Sequence, residues 1–554
     1  MSDFDVTSFK NRDVHHANRL CVGDIAARVA TTFPNRTAIV ATEETASAYE
    51  EYALLTYAEL DTLANRFGNA ITDHGLGPGD KVFTYCRNAT EFLAIQLGIA
   101  KTEVVAVVGN PLFPNDVLGH VIDEAEPDAA IVDTEVYRAD RELFENHDLE
   151  PSIYLPTEGD IDTGTGFQSA VADQPETEPD ADIQPTDVFQ LMYTSGTTGP
   201  AKGVMHSHLY MYTCTSNHNM RLMRGLPPVT DVVGSHFYPM SHIATQSHMM
   251  TNLLGQDKGV LLREPTPEKF AAAITEHEIN VINVISPYML RQLLSVVEEN
   301  PAEYSLDSLQ FVIWGFGPLD PDIVERYEEL SESEIRFALM NGQTESVLDT
   351  TFWVDENKEK FEENCPNKNY FGRSAPLFEV VALDEDDRIA PSGEGNYEKA
   401  MRSPCVMEGY YKKPEQTAEA FENGWLHSGD LGYMDEDNLF VFTGRSSDMI
   451  MSGGENVMAG RVEGVIREHP AVDEVAVFGL PHERWGEAVT AAVVLHPDED
   501  LSEDDILEYC RSEQSPLAGY EIPKGVIFLE ELPMTVGEKK QKFKLENQYE
   551  DYYR

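Results

Sequence analysis

The sequence predicts an α/β protein with a large amino-terminal domain of layered α/β subdomains and a small α+β domain at the carboxyl end. Three observations support this fold class. The chain has 554 residues, which is too many for one ordinary hydrophobic core. Short β-branched runs alternate with amphipathic helical segments as far as about residue 445. Beyond that point the pattern is that of a compact unit of roughly a hundred residues, the size of a small domain.

The individual elements follow from hydrophobic periodicity. Helices are predicted over 58–75 and 89–100, and strands that alternate with such helices favour largely parallel sheets. The Pro- and acid-rich segment 173–187 predicts a loop before the apolar run VFQLMYT. Buried strands are predicted at KVFTYC from Lys81, VVAVVG from Val104, AAIVD from Ala129, VINVIS from Val281 and FVIWG from Phe311. In the carboxyl-terminal unit we expect, in order, a helix (VEGVIREH), two strands (EVAVFGL and AVTAAVVL), a helix (DDILEYCRSE) and a strand (GVIFLEEL).

The charge of the chain is unusual. There are 97 Asp plus Glu residues against 40 Lys plus Arg, which gives a formal net charge of -57. This balance argues against nucleic-acid binding, which needs a basic surface, and equally against an anionic membrane surface. The acidic residues are spread along the whole chain, and molar salt shortens the screening length to roughly 3 Å. The charge therefore predicts a protein from the cytosol of an extreme halophile.

Cysteine usage and the amino terminus agree with that compartment. The six cysteines form no CxxC pair and no metal-ligand spacing, so we expect reduced thiols rather than disulfides or zinc. The amino terminus is polar, and no run approaches the ~18–20 apolar residues that span a bilayer. We expect a cytoplasmic protein without an integral membrane segment, and its oligomeric state stays open, a homodimer included.

The stretch YTSGTTGPAKGVMHSH (193–208) has the composition of a phosphate-binding loop. Glycines let backbone N–H groups approach phosphate oxygens, the hydroxyls of Ser195, Thr197 and Thr198 can donate hydrogen bonds, and Lys202 adds charge. The stretch follows a predicted strand, a usual context for such loops. Its spacing does not fit the GxxxxGK motif of P-loop NTPases. A flexible turn without a ligand is the alternative that the loop alone leaves open.

The string YTSGTTGPAKGV closely resembles the signature of the adenylate-forming superfamily, in its acyl-CoA synthetase branch. The resemblance runs in the family's order from about residue 50 to the carboxyl end. It implies a large domain over 1–444, a hinge over 445–448 and a mobile domain over 449–554. It also implies that ATP binds at the glycine-rich stretch, through Thr194, Ser195, Gly196, Thr197, Thr198, Gly199 and Lys202.

Two further motifs of the resemblance concern the acid and the adenine. FYPMSHIATQ is similar to the family's Pro-x-x-His element, which implies that His242 lies near the carboxylate and the acyl pocket. A core histidine satisfied by hydrogen bonds is the alternative. VIWGFGPLDPDIVER resembles the stretch that places Phe316, Gly317 and Pro318 beside the adenine and the acyl tunnel. The small residues Gly315 and Gly317 suggest an open tunnel.

The stretch LMNGQTES is similar to the family's Tyr-Gly-x-Thr-Glu element. The resemblance implies that Asn341, Gly342 and Gln343 border the nucleotide, that Thr344 contacts the α-phosphate and that Glu345 holds Mg²⁺, with Thr194 as a second metal contact. Asn341 stands where an aromatic residue usually stacks on the adenine.

NGWLHSGDLGYMDEDNLFVFTGRSSDMI is the most specific long match. It implies that Asp430 accepts both ribose hydroxyls and that Arg445 reaches the ribose or the phosphates. Ser447 takes the hinge position, with Asp448 beside it. The pair Gly453–Gly454 is expected to line the path of the CoA thiol. A tight turn between a strand and a helix is the alternative, and the two can hold together.

LPMTVGEKKQKFKL resembles the element that carries the catalytic lysine, which places Lys539 in that role. Glu538 stands where the family has glycine. A shift of one residue stays open, because Lys540, Lys542 and Lys544 lie close by. A solvated run of lysines is the alternative.

The resemblance implies an ATP-dependent acid–CoA ligase. With Mg²⁺, it would activate a carboxylic acid as acyl-AMP and transfer the acyl group to CoA, with catalysis by Lys202, His242, Thr344, Glu345 and Lys539. We expect a medium- or long-chain fatty acid as the substrate. The enzymatic alternative activates an aryl or short branched acid, or passes the adenylate to a carrier protein. The alternative of another class is an inactive nucleotide-binding regulator, suggested by Asn341, Ser447 and Glu538.

Overall fold

The computed structural model describes residues 19–42, 46–194, 201–226, 231–497, 499–512, 515, 517–534 and 540–553. Among these residues, no helix combines the length and the apolar character that crossing a bilayer requires. The α-helices are α1 Gly23–Thr32, α2 Tyr57–Asp73, α3 Thr90–Ile99, α4 Asn115–Ala125, α5 Thr134–Ala139, α6 Arg141–Asn146, α7 Phe167–Val171, α8 His208–Gly225, α9 Ile243–Gly255, α10 Pro267–His277, α11 Pro287–Glu299, α12 Pro321–Leu330, α13 Lys358–Asn364, α14 Pro414–Ala420, α15 Ala459–Arg467, α16 Glu503–Arg511 and α17 Lys542–Gln548.

The strands form three sheets. In chain order they are β1 Thr37–Ala41, β2 Leu54–Thr56, β3 Lys81–Tyr85, β4 Val105–Gly109, β5 Ala129–Asp133, β6 Pro151–Leu155, β7 Thr165–Gly166, β8 Val188–Tyr193, β9 Gly203–Ser207, β10 Val233–His236, β11 Lys258–Leu261, β12 Val281–Ile285, β13 Phe311–Trp314, β14 Arg336–Gln343, β15 Ser346–Trp353, β16 Asn369–Ser374, β17 Glu379–Leu383, β18 Tyr397–Arg402, β19 Gly409–Tyr410, β20 Leu426–Met434, β21 Phe440–Arg445, β22 Met449–Ser452, β23 Glu455–Met458, β24 Val472–His482, β25 Gly486–Leu495 and β26 Gly525–Phe528.

The strands and helices predicted from periodicity are present. The five predicted strands of the first part are β3, β4, β5, β12 and β13, and the two predicted helices are α2 and α3. The segment 173–187 is a connection without regular structure, as expected. In the carboxyl-terminal unit, α15, β24, β25, α16 and β26 follow in the predicted order.

An 8-stranded sheet has the order β19-β9-β8-β4-β3-β5-β6-β7. From β7 to β8 all neighbours are parallel, whereas β9 returns antiparallel to β8 and pairs with β19. The parallel part agrees with the predicted alternation of strands and helices.

A 13-stranded sheet has the order β17-β18-β20-β21-β16-β15-β14-β13-β12-β10-β11-β1-β2. Its strands from β14 to β1 are parallel, but those from β14 to β17 are antiparallel. The expectation of largely parallel sheets is therefore wrong for this half. Two of its neighbouring pairs, β14–β15 and β20–β21, are joined by short hairpin connections, which force an antiparallel pair.

The two large sheets enclose the largest hydrophobic core. Its buried residues come from α1, α2, α3, α8 and α9 and from the facing sides of both sheets. A second core lies between the 13-stranded sheet and α10, α11 and α12, and a third between the 8-stranded sheet and α4, α5 and α6. Helices and sheets therefore alternate in layers, and α8 and α9 pack against each other in the central layer.

The carboxyl-terminal residues have their own sheet and core. The sheet has the order β23-β22-β25-β24, with β26 parallel to β25. Val462 and Ile466 of α15 and Ile506 of α16 pack on one face, and Leu545 of α17 belongs to the core on the other. The predicted α/β fold, with a large layered part and a small α+β part, is confirmed.

Candidate active site

The glycine-rich stretch connects two paired strands. Tyr193 at the end of β8 pairs with Gly203 at the start of β9, and the Thr194 N–H donates to the Lys202 carbonyl at 3.1 Å. A Cβ atom at Gly203 would lie 2.8 Å from the Tyr193 ring, so any larger residue would require that ring to shift. The predicted phosphate contacts Ser195, Gly196, Thr197, Thr198 and Gly199 lie outside the described residues. Lys202 is half-buried, and its ammonium lies 4.7 Å from the centroid of the Tyr410 ring.

Thr344 and Glu345 form the two-residue turn of the β14–β15 hairpin, in which Gln343 pairs with Ser346. A Cβ atom at Gly342 would lie 2.3 Å from the Leu348 nitrogen, which explains the glycine before the turn. The Tyr410 hydroxyl donates to Glu345 Oε1 at 2.8 Å. Burial and the neighbouring Glu345 carboxylate raise the pKa of Tyr410 above its usual range, so the phenol stays a donor. Tyr410 therefore contacts both a predicted phosphate ligand and the predicted metal ligand.

The carbonyl of Thr344 is fixed by two donors. His206 Nε2 and the Tyr210 hydroxyl both lie 2.9 Å from it, and their rings stack at 4.3 Å. Burial lowers the pKa of His206 to about 4, so the imidazole is neutral at pH 7. Because Nε2 donates, Nδ1 accepts, and Gln190 Nε2 lies 2.9 Å from it. The strand and helix after the glycine-rich stretch are thereby tied to the turn.

Asp430 and Arg445 are cross-strand partners on β20 and β21. Arg445 Nε lies 3.1 Å from Asp430 Oδ1, and the Asp430 side chain is 4% exposed against 36% for Arg445. Among the described residues, Asp430 Oδ1 nevertheless accepts no hydrogen bond of normal geometry. A buried carboxylate oxygen without a donor suits a hydroxyl group, and the resemblance implies the ribose hydroxyls as the ligand of Asp430.

Sequence reasoning missed Lys399, which lies beneath this pair. Its side chain is 1% exposed, and its ammonium lies 3.4 Å from Asp430 Oδ2 and 3.2 Å from both oxygens of Asp349. It also donates to Asn341 Oδ1 at 2.8 Å. Burial raises the pKa of Asp349 against the opposing attraction of Lys399. Asn341 is thus a partner of a buried ammonium rather than merely a lost aromatic residue.

His242, Phe316 and Gly317 lie near one another. His242 is the N-cap of α9, where its Nδ1 accepts from the Ala244 N–H at 3.2 Å. The His242 ring centroid lies 6.3 Å from that of Phe316, which has a φ of 70°. A Cβ atom at Gly317 would meet nothing within 4 Å among the described residues, so the loop that ends in Pro318 borders open space. The capping role of His242 supports the hydrogen-bonded alternative and leaves its ring edge beside Phe316.

The predicted hinge is a single 3₁₀ turn, Ser446–Asp448, between β21 and β22. Gly453 and Gly454 form the turn between β22 and β23, with φ values of 65° and 85°. They therefore join two strands, and the expected turn between a strand and a helix is wrong. The sequence hid this because β23 is only four residues long before α15 begins.

Lys539 lies outside the described residues, whereas the nearby Lys540 and Lys542 are described. Lys542 Nζ lies 2.7 Å and Lys540 Nζ 3.3 Å from the buried Glu463 carboxylate. Burial raises the pKa of Glu463, but the two ammonium groups outweigh it and hold that pKa at about 2. These two lysines are structural and do not form a solvated run.

Comparison with known proteins identifies the family of both parts of the chain. Residues 26–411 match the model of the AMP-binding enzymes, and residues 461–539 match the model of the AMP-binding enzyme C-terminal domain. The long-chain-fatty-acid–CoA ligase FadD13 of Mycobacterium tuberculosis (strain ATCC 25618 / H37Rv) is 30% identical over 89% of this chain and 93% of its own length. A 2-succinylbenzoate–CoA ligase of Bacillus cereus (strain Q1) is 28% identical over 91% of this chain and 94% of its own.

Solved structures agree. The ATP-bound MatB of Rhodopseudomonas palustris is similar with a TM-score of 0.80 at 25% identity, over 96% of this chain and 100% of that one. The fatty acyl-CoA synthetase of Mycobacterium tuberculosis is similar with a TM-score of 0.73 at 27% identity, over 96% and 99%. The family matches cover the strands and turns that bring Lys202, Thr344 and Glu345 together. The protein therefore belongs to the family of AMP-binding enzymes.

Proposed function

We propose that the protein is an AMP-forming acid–CoA ligase that uses ATP to activate a carboxylic acid and transfers the acyl group to CoA. Family membership and the similarity to acid–CoA ligases over most of the chain support this class. The observation that carries it is that Tyr410 contacts both Lys202 and Glu345. The Lys202 ammonium lies over the Tyr410 ring, and the Tyr410 hydroxyl donates to the Glu345 carboxylate. A cation and a carboxylate held at one place suit a metal-bound triphosphate.

In the first half-reaction, a carboxylate oxygen of the acid bonds to the α-phosphorus of ATP, and the bond from that phosphorus to pyrophosphate breaks. Two anions must meet, so the site needs positive charge and positioning rather than an acid–base pair. We assign this charge to Lys202 and Lys539. In the second half-reaction the CoA sulfur bonds to the acyl carbon, AMP leaves and the thiol proton is lost.

The residues also suit Mg²⁺ and ATP. Among the described residues, no three His, Cys, Asp or Glu side chains form a group that could hold a metal by themselves. Glu345 offers one carboxylate, so the phosphates of ATP would have to supply further ligands. Mg²⁺ commonly binds through one or two carboxylates plus substrate phosphates, and when bound it neutralises phosphate charge. We propose Glu345 and Thr194 as its protein contacts, with Asp430 and Arg445 on the ribose.

We further propose that residues 449–554 rotate about Ser447 between the half-reactions, relative to residues 1–444. The rotation would exchange Lys539 for the Gly453–Gly454 turn at the adenylate. Lys540 and Lys542 are engaged with Glu463, which supports Lys539 rather than a shifted register.

The proposed acid is a medium- or long-chain aliphatic one, supported by the open space at Gly317. An aryl acid is the second candidate, supported by the similarity to 2-succinylbenzoate–CoA ligases. The cytosol of an extreme halophile stays the proposed setting, supported by the net charge of -57.

The decisive experiment separates the half-reactions in the variants Lys539→Ala and Lys544→Ala. Lys539→Ala is expected to slow adenylate formation by about 10²–10³, the usual cost of one preorganised charge, and to spare thioester formation from a supplied acyl-adenylate. Lys544 is the matched control because its side chain is exposed, and its variant should keep both rates. Equal loss of both half-reactions in Lys539→Ala would contradict the assigned role.

Substrate class is tested by AMP release in molar KCl with ATP and Mg²⁺, across acids from acetate to palmitate plus benzoate, with and without CoA. Turnover that requires CoA supports the ligase. Pyrophosphate release without CoA dependence would favour a carrier-protein acceptor, and ATP binding without pyrophosphate release would favour the regulator.

A further inference from the structure

Two pairs of polar side chains are buried where α8 and α9 pack together. α8 carries Thr215 and His218, and α9 carries Thr245 and His248, each pair spaced i, i+3 and therefore on one side of its helix. Thr215 and His218 are 0% exposed, Thr245 is 3% and His248 is 1% exposed. The two imidazole rings meet edge to face, with their centroids 4.3 Å apart.

These side chains are short of hydrogen-bond partners. Within the described part of the chain, neither ring nitrogen of His218 has a partner, nor do His248 Nε2 and the two threonine hydroxyls. Buried polar atoms are nearly always paired, because each unpaired one costs about 1–3 kcal/mol. Apolar side chains of similar size would pack here without that cost, so the cluster points to a polar ligand.

The protonation of the two rings defines what that ligand must offer. His248 Nδ1 lies 2.5 Å from the Ala244 carbonyl, which can only accept, so Nδ1 carries the proton and Nε2 is an acceptor. Burial lowers the pKa of His248 to about 4 and that of His218 well below its usual value, so both rings are neutral at pH 7. A neutral His218 offers one donor and one acceptor. A hydroxyl group, which donates and accepts, matches this pair, whereas a carboxylate cannot donate to Nε2.

The cluster is linked to the candidate active site through α9 and through Leu348. His248 follows the capping residue His242 by six positions, which is ~9 Å along the axis of α9. Next to His218 on α8, Asn217 Nδ2 and Arg221 donate to the Leu348 carbonyl at 3.2 and 2.6 Å. Leu348 is the residue whose nitrogen limits Gly342 in the Thr344 hairpin. Thr245 lies three positions from both His242 and His248, so an acyl chain that passes His242 and follows the side of α9 that carries Thr245 would approach His248.

We propose that the acyl group of the substrate carries a hydroxyl that hydrogen-bonds to the unpartnered nitrogens at the edge of the His218–His248 pair, so that the preferred acid is an aliphatic carboxylic acid hydroxylated far from its carboxylate. This inference rests on the proposed ligase function and refines its substrate class. The ~9 Å offset along α9 places the hydroxyl near the far end of the chain and excludes a position next to the carboxylate.

The test measures kcat/KM for hexanoate, octanoate and decanoate, each beside its ω-hydroxy and its β-hydroxy form. For at least one chain length, the ω-hydroxy acid should be preferred over the unsubstituted acid by about 10–100-fold, since a site built for a hydroxyl leaves its own polar groups unpaired without one. The β-hydroxy acid should show no such preference, because its hydroxyl cannot reach the cluster. If the ω-hydroxy acid is not preferred at any chain length, the inference is overturned and water is the partner of the buried polar groups.

The variant His218→Leu should reduce the ω-hydroxy preference to about parity while the unsubstituted acid is still activated. His208→Leu is the matched control, because His208 is a buried histidine on the same helix whose Nδ1 accepts from the Val22 N–H at 3.2 Å. It should keep the wild-type preference. His248→Leu provides a second variant if His218→Leu does not fold. A preference that survives both changes contradicts the inference, whereas absence of AMP release with every acid contradicts the proposed function instead.

Discussion

At the scale of single residues, Tyr410 joins Lys202 and Glu345, the two charged groups to which we assign a role in adenylate formation. Its ring lies under the Lys202 ammonium and its hydroxyl holds the Glu345 carboxylate. The two contacts use different parts of one side chain, so a substitution can remove one and keep the other.

We predict that Tyr410→Phe lowers kcat/KM for ATP in adenylate formation by about 10–100-fold, since a hydrogen bond to a charged group contributes roughly 1.5–3 kcal/mol. The ring under Lys202 remains in this variant. The Mg²⁺ concentration for half-maximal rate should rise, because Glu345 loses its hydrogen-bond donor. The measurement is pyrophosphate release at varied ATP and Mg²⁺.

Tyr411→Phe is the control for this variant. The Tyr411 ring lies 5.3 Å from the Lys412 ammonium, whereas the hydroxyl that donates to Glu345 belongs to Tyr410. Its variant should behave as the wild type. An unchanged Mg²⁺ dependence in Tyr410→Phe would show that the hydroxyl does not position Glu345.

Residues that a motif names could be predicted from the sequence, whereas their supports could not. Thr344, Glu345, Asp430 and Arg445 occupy motif positions; the structure places the first two in one turn and the last two opposite each other on neighbouring strands, and their roles stay predictions. Lys399 lies on a strand about fifty residues after Asp349, and only the apolar residues that follow it in KAM hint that it is buried. Its burial depends on how β18, which carries it, and β15, which carries Asp349, are placed in the 13-stranded sheet. A local sequence pattern does not indicate that placement.

At the scale of elements, backbone conformation decides which glycines of the small domain can be replaced. Gly454 in the β22–β23 hairpin and Gly464 in α15 illustrate this. A Cβ atom at Gly454 or at Gly464 would meet no described atom within 4 Å. Gly454 has a φ of 85°, whereas Gly464 lies inside α15. Space is available at both positions, so only the backbone distinguishes them.

We predict that Gly454→Ala destabilises the small domain by about 1–2 kcal/mol, the cost of a left-handed conformation for an L residue. It should also slow thioester formation from a supplied acyl-adenylate while adenylate formation is kept. Chemical unfolding and separate assays of the half-reactions check this.

Gly464→Ala provides the contrast, because alanine in a helix is more stable than glycine by roughly 0.5–1 kcal/mol. Both half-reactions should keep their rates in this variant. Loss of adenylate formation in Gly454→Ala would contradict the role that we propose for this turn.

Element type was predictable where periodicity is strong, but strand direction was not. The parallel half of the 13-stranded sheet follows from strands separated by helices. The antiparallel half depends on short connections such as Thr344–Glu345, whose motif predicts nucleotide and metal contacts but does not indicate a hairpin. The same residues serve both purposes, since a tight turn exposes its side chains and its backbone.

At the scale of the whole molecule, the net charge of -57 sets the conditions under which the protein is expected to work. Self-repulsion of that size destabilises a compact state unless salt screens it, and the screening length falls to about 3 Å at 1 M. We predict that both the midpoint of thermal unfolding and the AMP-release rate rise from dilute buffer to molar KCl.

Sucrose of equal osmolality is the control, because it stabilises folded proteins by exclusion and screens no charge. It should give a much smaller rise than KCl. A rise of equal size in sucrose would assign the effect to exclusion and remove the support for a halophilic setting.

The hydrogen bonds around His206 have a consequence for how the molecule comes apart. They run from the Thr344 carbonyl in the 13-stranded sheet through His206 to Gln190 in the 8-stranded sheet, and on to Gln246 of α9. Neither sheet can open without breaking a buried link to the other. We therefore expect the two sheets to unfold as one cooperative unit, and we expect local opening along that link to disturb the turn that carries Glu345. The small domain, with its separate cores, can open without this effect.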